Sequence, residues 1–126
     1  MSEDKVEYGN WHILNYEVEF PEILDSLAGE IHQTAKDKGW WDKERNDLEL
    51  IMLIVSELSE AVEYLRNGNK QSDHIPTFLG VEEELADAMI RILDLASARN
   101  WRVGEAIIEK IKFNKSRSYR HGNKKF

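Results

Sequence analysis

Two short stretches carry the acids from which chemistry could be built: Glu57-Leu-Ser-Glu60 within SELSEAVEYLR, and Glu84-Leu-Ala-Asp87 within EEELADAMIRILDL. Each pair is spaced i, i+3, so on a helix both members share one face. Brought together, four carboxylates raise one another's pKa and cannot all stay ionised unaided. A cation resolves that conflict. Carboxylate oxygens are hard ligands, which selects Mg²⁺ or Mn²⁺ over zinc or copper. Mg²⁺ leaves coordination positions to water and phosphate oxygens, so the expected centre has room for a nucleotide. A di-iron carboxylate centre would use Glu-x-x-His, and none of His12, His32, His74 and His121 has Glu three positions before it.

The elements that must position these acids are helices. Residues 50–55, LIMLIV, are apolar around most of a helical circumference, which predicts a buried central helix. The stripe Leu50, Leu53, Glu57, Glu60, Tyr64 continues that apolar face into the acids. In the next helix Val81, Leu85, Ala88, Met89 and Ile92 form the apolar side. Glu84, Asp87, Arg91 and Asp94 form a second stripe, which taken alone reads as solvated. Antiparallel packing of the two helices across a short loop makes the four acids converge.

Helical periodicity dominates the rest of the chain as well. Ile23, Leu24, Leu27, Ile31 and Ala35 predict a first helix over 22–38, with Pro21 in its first turn and Gly39 as its stop. Residues 1–20 are mixed and are expected to form an extended N-terminal arm. Asn46 or Asp47 caps the second helix, which runs to about residue 67 with Gly68 as its end signal. The loop NGNKQSDHIPTFLG precedes a third helix over about 81–100, with Glu82, Glu83 and Glu84 in its first turn, where the helix dipole favours acids. A fourth, carrying Ala106, Ile107, Ile108 and Ile111, is expected from 103 to 114 or slightly beyond. Residues 115–126 form a basic tail. Four helical segments, two prolines and no alternating strand pattern predict an all-α, four-helix bundle-like domain covering 1–126.

A chain of 126 residues fits one domain with a real core. Cysteine is absent, which excludes disulfides, thiolate metal sites and a thiol nucleophile. No apolar run approaches the length of a bilayer span, and the first residues lack a signal-type apolar core, so a cytoplasmic protein is expected. The net charge of −7 hides an asymmetry: every acid lies within residues 1–109, and 110–126 holds only basic charges. An acidic body repels a phosphate backbone, which argues against a nucleic-acid partner.

With these motifs in place the chain resembles the MazG-like, all-α nucleoside triphosphate pyrophosphohydrolases. The family pattern is ExxE on one helix and ExxD on the next, matched by Glu57/Glu60 and Glu84/Asp87. The likeness extends from Gly39-Trp40-Trp41 to the C-terminal KxxxNxxRxxxHG of Lys110, Asn114, Arg117 and His121, roughly the last two thirds of the chain. The resemblance implies a MazG-type bundle forming a homodimer or homotetramer. It further implies Mg²⁺ held by Glu57, Glu60, Glu84 and Asp87, and hydrolysis of a (d)NTP to monophosphate and pyrophosphate in nucleotide-pool house-cleaning. Glu57 or Glu60 would orient or deprotonate the attacking water. Enzymes of the same superfamily acting on dUTP or phosphoribosyl-ATP share the metal motif.

Lys110, Asn114 and Arg117, spaced i, i+4, i+7, could grip the triphosphate. They could also simply complement the helix C-terminus. Arg91 could reach the phosphates or pair with Asp87 or Asp94. Trp41 is a candidate to stack on the base, with the other tryptophan of the pair a core anchor, and His32 is a candidate base contact. His121, Lys124 and Lys125 read as solvated tail. The alternative of a different class is a non-catalytic helical homo-oligomer whose acids form surface ion pairs.

Overall fold

The computed structural model describes residues 2–119, with side chains from Glu17 onward. Four helices account for most of them: α1 (Ser2–Asp37), α2 (Asp47–Arg66), α3 (Gly80–Arg99) and α4 (Val103–Ser116). Among the described residues there is no strand, only an isolated bridge between Gln71 and Leu79 in the α2–α3 loop. The protein is all-α, and no described helix is long and apolar enough to cross a membrane. His121, Lys124, Lys125 and the end of the basic tail lie outside the described residues.

Local chemistry sets the helix ends. Asn46 caps α2, its side-chain oxygen accepting from the backbone N–H of Leu48 and Glu49. α1 and α2 close on left-handed residues, Gly39 at φ 87° and Gly68 at φ 90°, where a side chain would be strained. The following N–H groups return to the last turn, Trp40 to the Ala35 carbonyl and Asn69 to that of Tyr64. Asn100 plays the same part for α3, at φ 57°.

The expected extended arm over residues 1–20 is instead helical: α1 begins at Ser2 and continues through Pro21. Inside a helix a proline forfeits the bond to the carbonyl four residues earlier and crowds that carbonyl, so α1 continues through Pro21 at a local cost. Pro21 is also buried, and α4 lies close to it. A Cβ added at Gly104 would stand 3.0 Å from the Pro21 Cα.

The chain divides into two compact units, one of Leu27–Trp101 and one of the segments before and after it. In the latter, Leu24 and Ile108 are buried and Lys112 pairs with Glu17 at 3.3 Å. The former is organised by α2 and α3. Asp47 pairs with Arg99, Glu57 with Arg91, and Tyr64 lies against Gly80, so the two helices run antiparallel. Their buried apolar side chains are Leu50 and Ala61 on α2, and Ala88, Leu93, Leu95 and Ala96 on α3. The alanines allow close approach.

A Cβ at Gly80 would fall inside the van der Waals envelope of the Tyr64 ring. Gly80→Ala is therefore expected to destabilise the fold by about 1–3 kcal/mol, the usual range for overpacking. Urea denaturation measures it, and an unchanged midpoint would mean that Tyr64 moves aside freely.

α2 is not the buried central helix that its composition suggests. Leu48, Ile51, Met52, Val55, Leu58, Val62 and Leu65 are 43–76% exposed. An apolar surface that wraps most of a helix needs more than one packing partner, and α3 covers only one side.

Candidate metal centre

α2 and α3 bring three of the four predicted carboxylates to one place. Glu57, Glu60 and Glu84 each offer an oxygen within 4.8 Å of the others, and so do Glu83, Glu84 and Asp87. Glu84 belongs to both groups and is the most buried of the predicted four, with 6% of its surface exposed. Its Oε2 is enclosed and has no hydrogen-bond partner. Burial, above all, pushes the Glu84 carboxyl up to about 8, helped by its hydrogen bond to Glu57 and by the charges of Glu60, Glu57 and Asp87. Asp87 is also raised, first by burial and then by the charges of Glu57 and Glu83, against the opposing pull of Arg91 and His74.

One cation enters this group. Arg91 Nε donates to Glu57 Oε1 at 2.8 Å, so Arg91 pairs with an acid of the opposite helix and not with Asp87 or Asp94 on its own. That pair satisfies one oxygen of Glu57. It leaves the enclosed oxygen of Glu84 without a donor, in a setting where an unmet acceptor costs about 1–3 kcal/mol. An all-oxygen donor set with a buried orphan acceptor at its middle fits a hard divalent cation.

Beside the acids is a cavity of about 690 Å³. Glu57, Asp87, Arg91 and Asp94 contribute to its wall, as do Leu27, Ile31 and Ala35 of α1, Ile90 of α3, and Trp40. Such a mix of apolar wall and convergent charge is what a nucleotide-sized ligand requires.

Trp41 and His32, the candidate base contacts, both meet Asp94. Trp41 Nε1 donates to both oxygens of Asp94, each at 3.1 Å, and His32 Nδ1 bonds Asp94 Oδ1 at 2.7 Å. His32 meets the Trp41 ring edge-on, with centroids 5.0 Å apart, and Arg45 and Arg99 both lie over the indole. Trp41 is thus the anchor of the linker. Trp40 is 64% exposed and lines the cavity. Asp94, the hub of these contacts, was visible in the sequence only as a member of the α3 stripe.

Lys110, Asn114 and Arg117 lie at the end of α4, in the other compact unit. There Lys110 and Arg117 lie over the Phe113 ring, 4.4 and 5.2 Å from its centroid. Glu83 is a site neighbour that the sequence did not single out, since the first-turn acids of a helix look alike. It is buried, and hydrogen bonds from Ser72 and His74 hold its carboxyl below the usual range. Compared with known proteins, the chain matches no family model, no curated protein and no solved structure.

Proposed function

We propose that this chain is a Mg²⁺-dependent nucleoside triphosphate pyrophosphohydrolase of the MazG-like kind, hydrolysing a (d)NTP to the monophosphate and pyrophosphate. Its place would be house-cleaning of the cytoplasmic nucleotide pool. The observation that carries this is the enclosed, unpartnered oxygen of Glu84 among the carboxylates of Glu57, Glu60 and Asp87, of which Glu57 and Asp87 also line a nucleotide-sized cavity. Glu57, Glu60, Glu84 and Asp87 would hold Mg²⁺, with Mn²⁺ as a substitute. Bound there, the ion supplies charge neutralisation for the triphosphate and polarises its phosphoryl oxygens.

The chain's own residues do the rest. Glu57 is engaged by Arg91 and Glu84, whereas Glu60 is exposed. Glu60 is therefore assigned to orient the attacking water and accept its proton as oxygen bonds to the α-phosphorus. The α–β anhydride bond breaks and pyrophosphate leaves. Arg91, already at the cavity wall, can turn from Glu57 to a phosphate oxygen when a nucleotide enters. The apolar wall and Trp40 would hold the base and keep bulk water away.

Glu60→Gln is expected to lower turnover by about 10²–10⁴-fold, the usual contribution of a general base, with little change in stability at this exposed position. Pyrophosphate release from each (d)NTP, with Mg²⁺ and with EDTA, measures it. Turnover that persists in Glu60→Gln would contradict the assignment.

The proposal includes a homodimer or homotetramer. The exposed apolar residues of α2 recur at heptad spacing, Leu48, Val55, Val62 and Ile51, Leu58, Leu65, and Leu85, Met89 and Ile92 are exposed on α3. A two-stranded seam uses that repeat, and an apolar surface of this extent marks a partner. The Arg91–Glu57 pair alone would suit a non-catalytic helical module, but it offers no account of the buried Glu84 oxygen.

A further inference from the structure

Glu83 and Glu84 are consecutive, both are buried, and both have oxygens within reach of Asp87. Glu83 has a donor on each oxygen, whereas the Glu84 Oε2 has none. Ser72, 2% exposed, donates its hydroxyl to Glu83 Oε1 at 2.5 Å, and His74 Nδ1 bonds Glu83 Oε2 at 2.7 Å. The Ser72 oxygen in turn accepts from the backbone N–H groups of His74 and Ile75, so three bonds fix this hydroxyl. The loop that carries it is tied to the start of α3. Gly80 N–H donates to the Lys70 carbonyl, Ser72 N–H to that of Phe78, and Val81 N–H to Asn69 Oδ1.

Glu83 already offers an oxygen within 4.8 Å of Glu84 and Asp87, so how it is held bears directly on the cation site. Two side-chain donors, one per oxygen, fix its carboxylate in one orientation. They also fix the rotation of the first turn of α3, and with it the direction in which Glu84 and Asp87 face Glu57 and Glu60. Resting on the metal centre proposed above, we infer that Ser72 and His74 are positioning residues: by bonding both oxygens of Glu83 they hold that carboxylate, and the first turn of α3 that carries Glu84 and Asp87, in the orientation the cation needs. Groups that orient ligands in this way typically change metal affinity by about 10–100-fold when removed.

Calorimetric titration of the full chain with Mn²⁺ and Mg²⁺ tests this without depending on turnover. Ser72→Ala is expected to weaken Mn²⁺ binding about tenfold or more, and Ser72→Thr, which restores the hydroxyl, to recover most of it. His74→Ala guards against a folding failure, since the His74 side chain is 83% exposed. It is expected to weaken binding in the same direction. Unchanged Mn²⁺ affinity in Ser72→Ala and His74→Ala, with only the melting temperature lowered, would overturn the inference and leave the metal centre standing. Absence of Mn²⁺ binding by the unaltered chain would overturn the centre itself. Metal binding weakened by both variants, in a protein that hydrolyses no nucleotide, would uphold the positioning role and reject the proposed activity.

Discussion

Glu84→Gln is expected to raise the melting temperature of the metal-free protein at pH 8 and to abolish its response to Mg²⁺. The folded state binds the Glu84 proton more tightly than the unfolded chain does, because its carboxyl is pushed up to about 8. Such a group contributes stability that is fully present below its ordinary pKa and is lost as pH rises through the folded value. The metal-free protein should therefore weaken steadily from about pH 5 to pH 8, and Glu84→Gln should flatten that decline. For a domain of this size each kcal/mol recovered at the midpoint moves the melting temperature by roughly 2–6 °C. Mg²⁺ is expected to separate the two proteins as well. At about a hundredfold excess over its Kd, a ligand that binds only the folded state stabilises it by about 2.7 kcal/mol. The unaltered protein should gain that at pH 8, and Glu84→Gln should gain nothing. Scanning fluorimetry at pH 5 and 8, with and without Mg²⁺, measures both effects. A flat pH profile in the unaltered protein would contradict the burial-driven shift.

The second large effect concerns the apolar seam of α2. Val55→Asp with Leu58→Asp is expected to convert a stable oligomer into a monomer or an unfolded chain. Burying a Val or Leu stabilises by about 1.5–3 kcal/mol relative to exposure, and each copy would lose two such contacts while placing two carboxylates in an apolar interface. Both residues are now 43% exposed, so neither is needed to complete the α2–α3 core within one chain. Light scattering on the eluting protein gives the mass directly. A monomeric unaltered protein, or an oligomer indifferent to the double substitution, would contradict the seam.

Much of the fold was legible because it depends on near neighbours. Asn46, Gly39, Gly68 and Asn100 announce helix ends by their own backbone and side-chain chemistry, and α2, α3 and α4 appear where periodicity places helices. The i, i+3 spacing of Glu57/Glu60 and Glu84/Asp87 is equally local. What the sequence misstated depends on distant partners. Pro21 reads as a helix start, where proline is favoured, and only the helical residues on both sides of it place it in an interior. The apolar run 50–55 says that α2 avoids water, but not whether the same chain or another covers it.

Arg91 has acids one turn away on its own helix, yet the antiparallel register delivers Glu57 to it. Trp40 and Trp41 are adjacent and chemically identical. Asp94 and His32, more than fifty residues apart from one another, decide which is the anchor. Glu83 differs from Glu82 and Glu84 only because a loop eleven residues earlier supplies Ser72. Local signals therefore placed the acids on their helices, while tertiary contacts divided the roles among them.

The central claim is most directly tested by ³¹P NMR of the products formed from a set of (d)NTPs in ¹⁸O-labelled water with Mg²⁺. The expected result is a nucleoside monophosphate bearing the label, together with unlabelled pyrophosphate, and no products when EDTA is added. Diphosphate with labelled inorganic phosphate, or the same turnover in EDTA, would contradict the proposed reaction. So would a folded, Mg²⁺-loaded protein that leaves every triphosphate intact.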